Sequence, residues 1–192
     1  YYQLFKGLLI LVYFAGGLVK INKDWLTGNT MSFAFAESKV YEEERHLLTN
    51  HFFPIIYSWL GLLFDLSIGF LLLYRRTLIF GIICLILFHL INACTLDIGV
   101  FPWFMMMSFV LFVKPETIDK FLFKRKMLPM VEIDSVQIKK PLTCFLYFFI
   151  VIQLFMPIRH HLINGNVDWT GEGAFFAWRM KAASRKLTHF EI

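Results

Sequence analysis

Gly7 to Trp25 reads GLLILVYFAGGLVKINKDW. Every residue from Leu8 to Leu18 is aliphatic, aromatic, alanine or glycine, so the stretch predicts an apolar helix. Ala15-Gly16-Gly17 forms a small-residue patch where a second helix can approach closely. The run then ends on Lys20, followed by a short polar turn and Trp25. A lysine at that edge has two readings. Its stem can snorkel so that the ammonium reaches the headgroups, or the amine can be desolvated and used chemically.

Working outward, the 192 residues are 58% hydrophobic, 18% aromatic and 17% charged. A soluble domain normally carries about a quarter charged residues, and here the apolar residues are gathered into long runs. The expectation is an integral membrane protein. The net charge of +5 invites a nucleic-acid reading. The basic residues instead cluster between apolar runs, with neither an arginine-rich recognition helix nor zinc-ligand spacing, which argues against it. Cys84, Cys94 and Cys144 lie in or beside apolar runs and suggest neither a disulfide framework nor a metal cluster. The chain begins at Tyr1 without a positively charged leader, as an excerpt of a longer protein would.

Five spans are expected, giving an all-α, multispanning transmembrane bundle: about Leu4 to Lys20, Pro54 to Tyr74, Leu78 to Leu96, Val100 to Val113 and Leu142 to Ile158. Arg75-Arg76 lies between the second and third spans. A basic loop at 114–141 lies between the last two. The positive-inside rule puts both connections in the cytoplasm, where the loop would face anionic lipid. Residues 21–53, the turn near Asp97 and the tail then share the noncytoplasmic side. The expected division is a transmembrane core at 1–158, with a noncytoplasmic excursion at 21–53. An interfacial aromatic tail at 159–192 would lead into a further C-terminal domain.

Several polar residues exceed what a plain scaffold needs. Asp65 sits mid-span, where a carboxylate must face the bundle and find a partner or stay protonated. His89 and Asn92 are three apart and share a helix face. His160-His161 follows Pro157, a residue that ends or kinks a helix. Beyond it, Gly165, Gly171 and Gly173 mark turns, and Trp169, Phe175, Phe176 and Trp178 offer an aromatic surface at headgroup depth. In KVYEEERHLLTN (39–50), Glu42, Glu43 and Glu44 with His46 or His51 could bind a metal. Adjacent carboxylates do not share one helix face, so a solvated acidic surface is the favoured reading. Lys20, His89 and His160 could converge at one membrane face with Asp65 beneath them. That suits proton handling on an amphiphilic substrate. A nucleotide loop, a serine elbow and an HExxH motif are all missing. The residues alone leave a membrane enzyme and a lipid-binding protein both open.

Four stretches in order resemble the vitamin K-dependent gamma-glutamyl carboxylase family: VYFAGGLVKINKDWLTG (12–28), LLFDLSIGFLLL (62–73), FHLINACTLDIGVFPW (88–103) and QLFMPIRHHLINGNVDWTGEGAFFAWRM (153–180). The resemblance implies a membrane enzyme, of the inner membrane if bacterial and the endoplasmic reticulum if animal, with its site on the noncytoplasmic side. It would couple oxidation of reduced vitamin K, or a related hydroquinone, by oxygen to addition of carbon dioxide at a protein glutamate. It implies Lys20, His89 and His160 as catalytic residues and places Asp65 and Asn92 at the cofactor. The peptide-contacting region falls at Phe176, Trp178, Arg179 and Met180. Partners would be membrane lipid and a glutamate-containing peptide, with no metal and no nucleic acid; the sequence leaves the oligomeric state open.

The residue types fit that chemistry. The glutamate γ-carbon is too weak an acid for any side chain to deprotonate directly. An uncharged Lys20 amine in apolar surroundings would take the hydroquinone proton. Reaction with oxygen and rearrangement toward the epoxide would give an alkoxide strong enough to remove the γ-proton, and the carbanion would capture carbon dioxide. His89 and His160 would stabilise oxygen charge, bind carbon dioxide or shuttle protons. Exclusion of bulk water would protect these species. The sequence departs from the animal pattern at Val19, where a lysine pair is expected. It departs also at Phe176, in place of a tyrosine, and at Arg179, in place of an aspartate. An enzyme that epoxidises a quinone without carboxylating a peptide is therefore a second reading. A noncatalytic lipid-binding scaffold is the third.

Overall fold

The computed structural model describes residues 2–36, 50, 52–96, 98–114, 116–118 and 140–163. All regular structure there is helical: α1 (Tyr2–Val19), α2 (Lys23–Leu26), α3 (Asn29–Ala36), α4 (Phe52–Leu73), α5 (Leu78–Thr95), α6 (Phe101–Met107) and α7 (Lys140–Phe155). Short 3-10 segments follow α6 at Ser108–Leu111 and α7 at Arg159–Leu162.

The five-span expectation is corrected. Among the described residues, two helices are long and apolar enough to cross a membrane, α4 and α5. At 1.5 Å per residue, the 22 residues of α4 reach about 33 Å and the 18 of α5 about 27 Å, close to the ~30 Å hydrocarbon thickness. The other three fall short for separate reasons. The apolar helical length of α1 is Gln3–Val19, and Lys6 interrupts its beginning. After Gly99, with φ of +61°, the chain winds as α only to Met107 before tightening to 3-10 geometry, so the apolar run Phe101–Leu111 reaches about half the bilayer. In α7 the helix stops at Phe155, two residues before Pro157.

The scaffold is an antiparallel packing of α1, α4 and α5. Ile10 of α1 meets Gly69 of α4, and Leu66 of α4 meets Gly17 of α1: a Cβ on Gly17 would lie 2.7 Å from Leu66 Cδ2, and one on Gly69 would lie 2.9 Å from Ile10 Cγ2. Each glycine is thus a socket for the other helix's branched side chain, at the small-residue patch the sequence displays. A tight turn after Leu73 reverses the chain into α5, with the Thr77 hydroxyl donating to Leu71 O at 2.9 Å. Phe64 of α4 and Phe88 of α5 stack with ring centroids 3.9 Å apart.

Two apolar clusters close the structure. Tyr13, Ile68, Leu72 and Leu85 pack with Met105 and Phe112, which seats α6 and its 3-10 extension against the three long helices. Trp25, Met31, Phe35 and Leu96 form the second cluster, folding the short helices α2 and α3 over the start of α4. Gly28, at φ +79°, makes that fold-back possible: a Cβ there would lie 2.7 Å from the backbone nitrogen of Ile55. None of the side chains of α7 is buried. The acidic stretch around Glu42–Glu44 and His46, with His51, lies outside the described residues. So do Asp97, most of the basic loop and the glycine- and aromatic-rich tail. The three cysteines are unpaired.

Candidate active site

The end of α1 aims Lys20 inward. The helix closes with Lys20 N–H donating to Gly17 O, while Asn22 Nδ2 donates to Val19 O and Asn22 Oδ1 caps α2 by accepting from Trp25 N. Chain direction thus reverses around the lysine, and its side chain lies along α4. Lys20 Nζ donates to Asp65 Oδ2 at 2.5 Å, and the two side chains are 13% and 12% exposed. Trp25 lies beside the pair, its ring centroid 4.8 Å from Nζ and its Nε1–H bonded to Ser58 O at 2.8 Å. The carboxylate that mid-span burial requires to be partnered therefore has its partner, from another helix.

Glycine makes the convergence possible. A Cβ at Gly61, one turn before Asp65 on α4, would lie 3.6 Å from Trp25 Cζ2, 3.8 Å from Lys20 Nζ and 3.9 Å from Phe88 Cζ. Lys20, Trp25 and Phe88 thus meet over bare backbone.

Phe88 leads to the second half of the site. His89 is buried, 2% exposed, and ringed by Phe64, Phe88 and Phe101 at centroid distances of 5.9, 5.4 and 6.1 Å, all close to perpendicular. Its Nε2 is hydrogen-bonded to the Tyr13 hydroxyl at 2.8 Å. Its Nδ1 is buried and has no hydrogen-bond partner among the described residues. A buried ring nitrogen left unmatched among aromatic edges is unusual in a settled core. One turn on, Asn92 accepts a hydrogen bond from the Tyr57 hydroxyl, which also lies 3.2 Å from Thr95 Oγ1.

Four of the residues expected from sequence are therefore described in one region: Lys20 paired with Asp65, and His89 with Asn92 one turn along on the buried face of α5. His160 falls in the 3-10 segment Arg159–Leu162, and its side chain is not among those described. Phe176, Trp178, Arg179 and Met180 lie outside the described residues. Tyr13, Trp25, Tyr57 and Gly61 border the site without being among the residues the sequence points to, although two of them carry a spacing signal. Tyr57, Gly61 and Asp65 recur every four residues on one face. Among the described residues, no group of three or more His, Cys, Asp and Glu side chains could hold a metal ion.

Residues 1–116, more than half of the chain, match the HTTM domain family, and the chain belongs to that family. Residues 138–192 match a second family model, the vitamin K-dependent gamma-carboxylase lumenal domain. The carboxylase-named match therefore covers the last of the four stretches that resemble that family, and the other three fall within the HTTM match. No solved structure matches the chain.

Proposed function

We propose that this chain is part of a membrane enzyme that oxidises a reduced quinone of the vitamin K type and uses that oxidation to carboxylate protein glutamate. The observation that carries the reading is the continuity of the site through Phe88. One part of its ring faces the Lys20 amine over Gly61, and the ring as a whole packs against His89. A proton-handling pair and an unmatched ring nitrogen thus border the same aromatic wall. The C-terminal likeness to a carboxylase lumenal domain supports the substrate class.

When bound, the hydroquinone would supply four electrons and two hydrogens to oxygen, one oxygen atom ending in the epoxide and the other in water, while a glutamate γ-hydrogen leaves as a proton and carbon dioxide takes its place as carboxylate. Asp65 would hold the amine in place and take up the proton that Lys20 shares with it, and the amine so freed would receive the first hydroxyl proton. Phe64, Phe88 and Phe101 would flank the ring and exclude water. His160 would act with His89, Asn92 would line the cofactor side, and Phe176, Trp178, Arg179 and Met180 would meet the acidic peptide. Arg75 and Arg76, in the α4–α5 turn, support through the positive-inside rule a cytoplasmic turn with the opposite helix ends on the noncytoplasmic side.

One observation favours a second reading, epoxidation without carboxylation. The Lys20–Asp65 and His89 groups all lie within the HTTM-matched residues, apart from the carboxylase-named segment. The complete protein, given reduced vitamin K, oxygen, radiolabelled bicarbonate and a glutamate-rich peptide, distinguishes the two. Epoxide and incorporated label, both lost in Lys20→Ala, support the carboxylase. Epoxide alone supports the second reading, and neither product would overturn both.

A further inference from the structure

Tyr13 Oη lies 2.8 Å from His89 Nε2, and either atom could carry the shared proton. A phenol is a stronger acid than a neutral imidazole N–H, and an imidazole lone pair is a stronger acceptor than a phenol oxygen, which favours the phenol as donor to Nε2. A neutral imidazole carries one proton. With Nε2 accepting, that proton must sit on Nδ1, the buried atom that no described group satisfies.

We propose that Tyr13 is a positioning residue: it fixes the His89 tautomer so that Nδ1–H is presented, unshared, as a hydrogen-bond donor to the oxygen of an aromatic alcohol seated against Phe64, Phe88 and Phe101. This rests on the quinol reading of the site and deepens it by giving His89 one role. The histidine is a donor to oxygen whose negative charge grows as Lys20 takes the proton, and is not itself the base. A donor fixed in place before the charge develops needs no reorganisation when it does. Burial among rings makes that donor stronger, because no water competes for it.

The test uses the full-length protein in lipid nanodiscs, labelled with 15N-histidine, the His89 signals being assigned by their loss in His89→Asn. The expected spectrum shows Nδ1 protonated and Nε2 as a hydrogen-bonded lone pair. In Tyr13→Phe the tautomers should mix or invert while the protein stays folded. Menadiol under argon, where it cannot turn over, should shift the Nδ1–H signal. Dominant Nε2 protonation in the wild type, or an unchanged tautomer in Tyr13→Phe, overturns the positioning role. Nδ1 protonation with no response to menadiol overturns the quinol reading itself, which separates the two failures. In turnover, Tyr13→Phe should lower kcat for epoxide formation about tenfold, less than the ~10²-fold typical of deleting an oxyanion donor outright. KM should change little; a rise in KM with kcat intact would contradict the assigned role.

Discussion

Lys20, at the end of α1, and Asp65, midway along α4, are 45 residues apart in sequence and 2.5 Å apart in space. The pair ties the helix that carries the amine to the helix that forms the floor of the site. Neither partner is well exposed, so neither can rely on water if the other is removed.

Removing one partner should therefore be worse than replacing it. Lys20→Ala strands the Asp65 carboxylate, and breaking a buried pair in this way costs about 3–5 kcal/mol. Lys20→Arg keeps the charge and should recover most of that stability, yet arginine cannot act as a base near neutral pH. Thermal unfolding in detergent should rank wild type and Lys20→Arg together and Lys20→Ala lower, with both variants inactive. Turnover by Lys20→Arg would remove Lys20 as the base.

The glycine sockets make a second prediction. Gly17→Ala puts a Cβ 2.7 Å from the flexible end of Leu66, an overpacking that typically costs about 1–3 kcal/mol. Leu66→Ala should relieve the side-chain part of it, leaving the Leu66 backbone nitrogen at 3.2 Å, so the double variant should be more stable than the sum of the single changes. Gly28→Ala should cost more and resist rescue. There the obstacle is the Ile55 backbone, and φ is +79°, which L-residues disfavour. Denaturation of these four variants beside the wild type checks the ranking.

How much of this was visible beforehand depends on what each feature requires. The apolar runs located α1, α4 and α5, because a run of that length is a property of the sequence alone. Run length did not separate a full crossing from the 3-10 tightening after Met107, because that transition depends on how Met105 and Phe112 seat against Tyr13 and Leu85. The need of Asp65 for a partner was legible from burial. Lys20 as that partner was not, since it depends on the reversal at Asn22. His89 stood out as a histidine in an apolar helix, but the state of its two nitrogens required Tyr13, a residue whose sequence context looks like ordinary packing.

Asn92 and Tyr57 allow a coupling measurement. Asn92 is 7% exposed and takes its side-chain hydrogen bond from Tyr57. Tyr57→Phe leaves that acceptor buried and unmatched, with an expected loss of about 1–3 kcal/mol. Asn92→Leu should be harmful in the wild type but milder in Tyr57→Phe, because there it removes an acceptor that has already lost its donor. A double-mutant cycle read by thermal unfolding should give a coupling of at least 0.5 kcal/mol, roughly the lower bound for residues in contact. Simple additivity would show that this hydrogen bond does not hold α4 to α5.

Gly61 separates stability from chemistry most cleanly. The nearest atoms to a Cβ there lie at 3.6–3.9 Å, ordinary contact distances, so Gly61→Ala should fit without displacing anything. Inside a helix that change should also add up to about 1 kcal/mol of stability, since glycine is the poorer helix former. Gly61→Leu has no such room. Its extra carbons must occupy the space between Lys20 Nζ and Phe88, so the amine is pushed off the aromatic wall even though the Lys20–Asp65 pair can persist. The expected series is therefore a slightly stabilised, active alanine variant and a folded but inactive leucine variant. Melting temperature and quinol turnover on the same preparations check it. If Gly61→Leu keeps full turnover, the gap between the amine and Phe88 is not where the ligand sits.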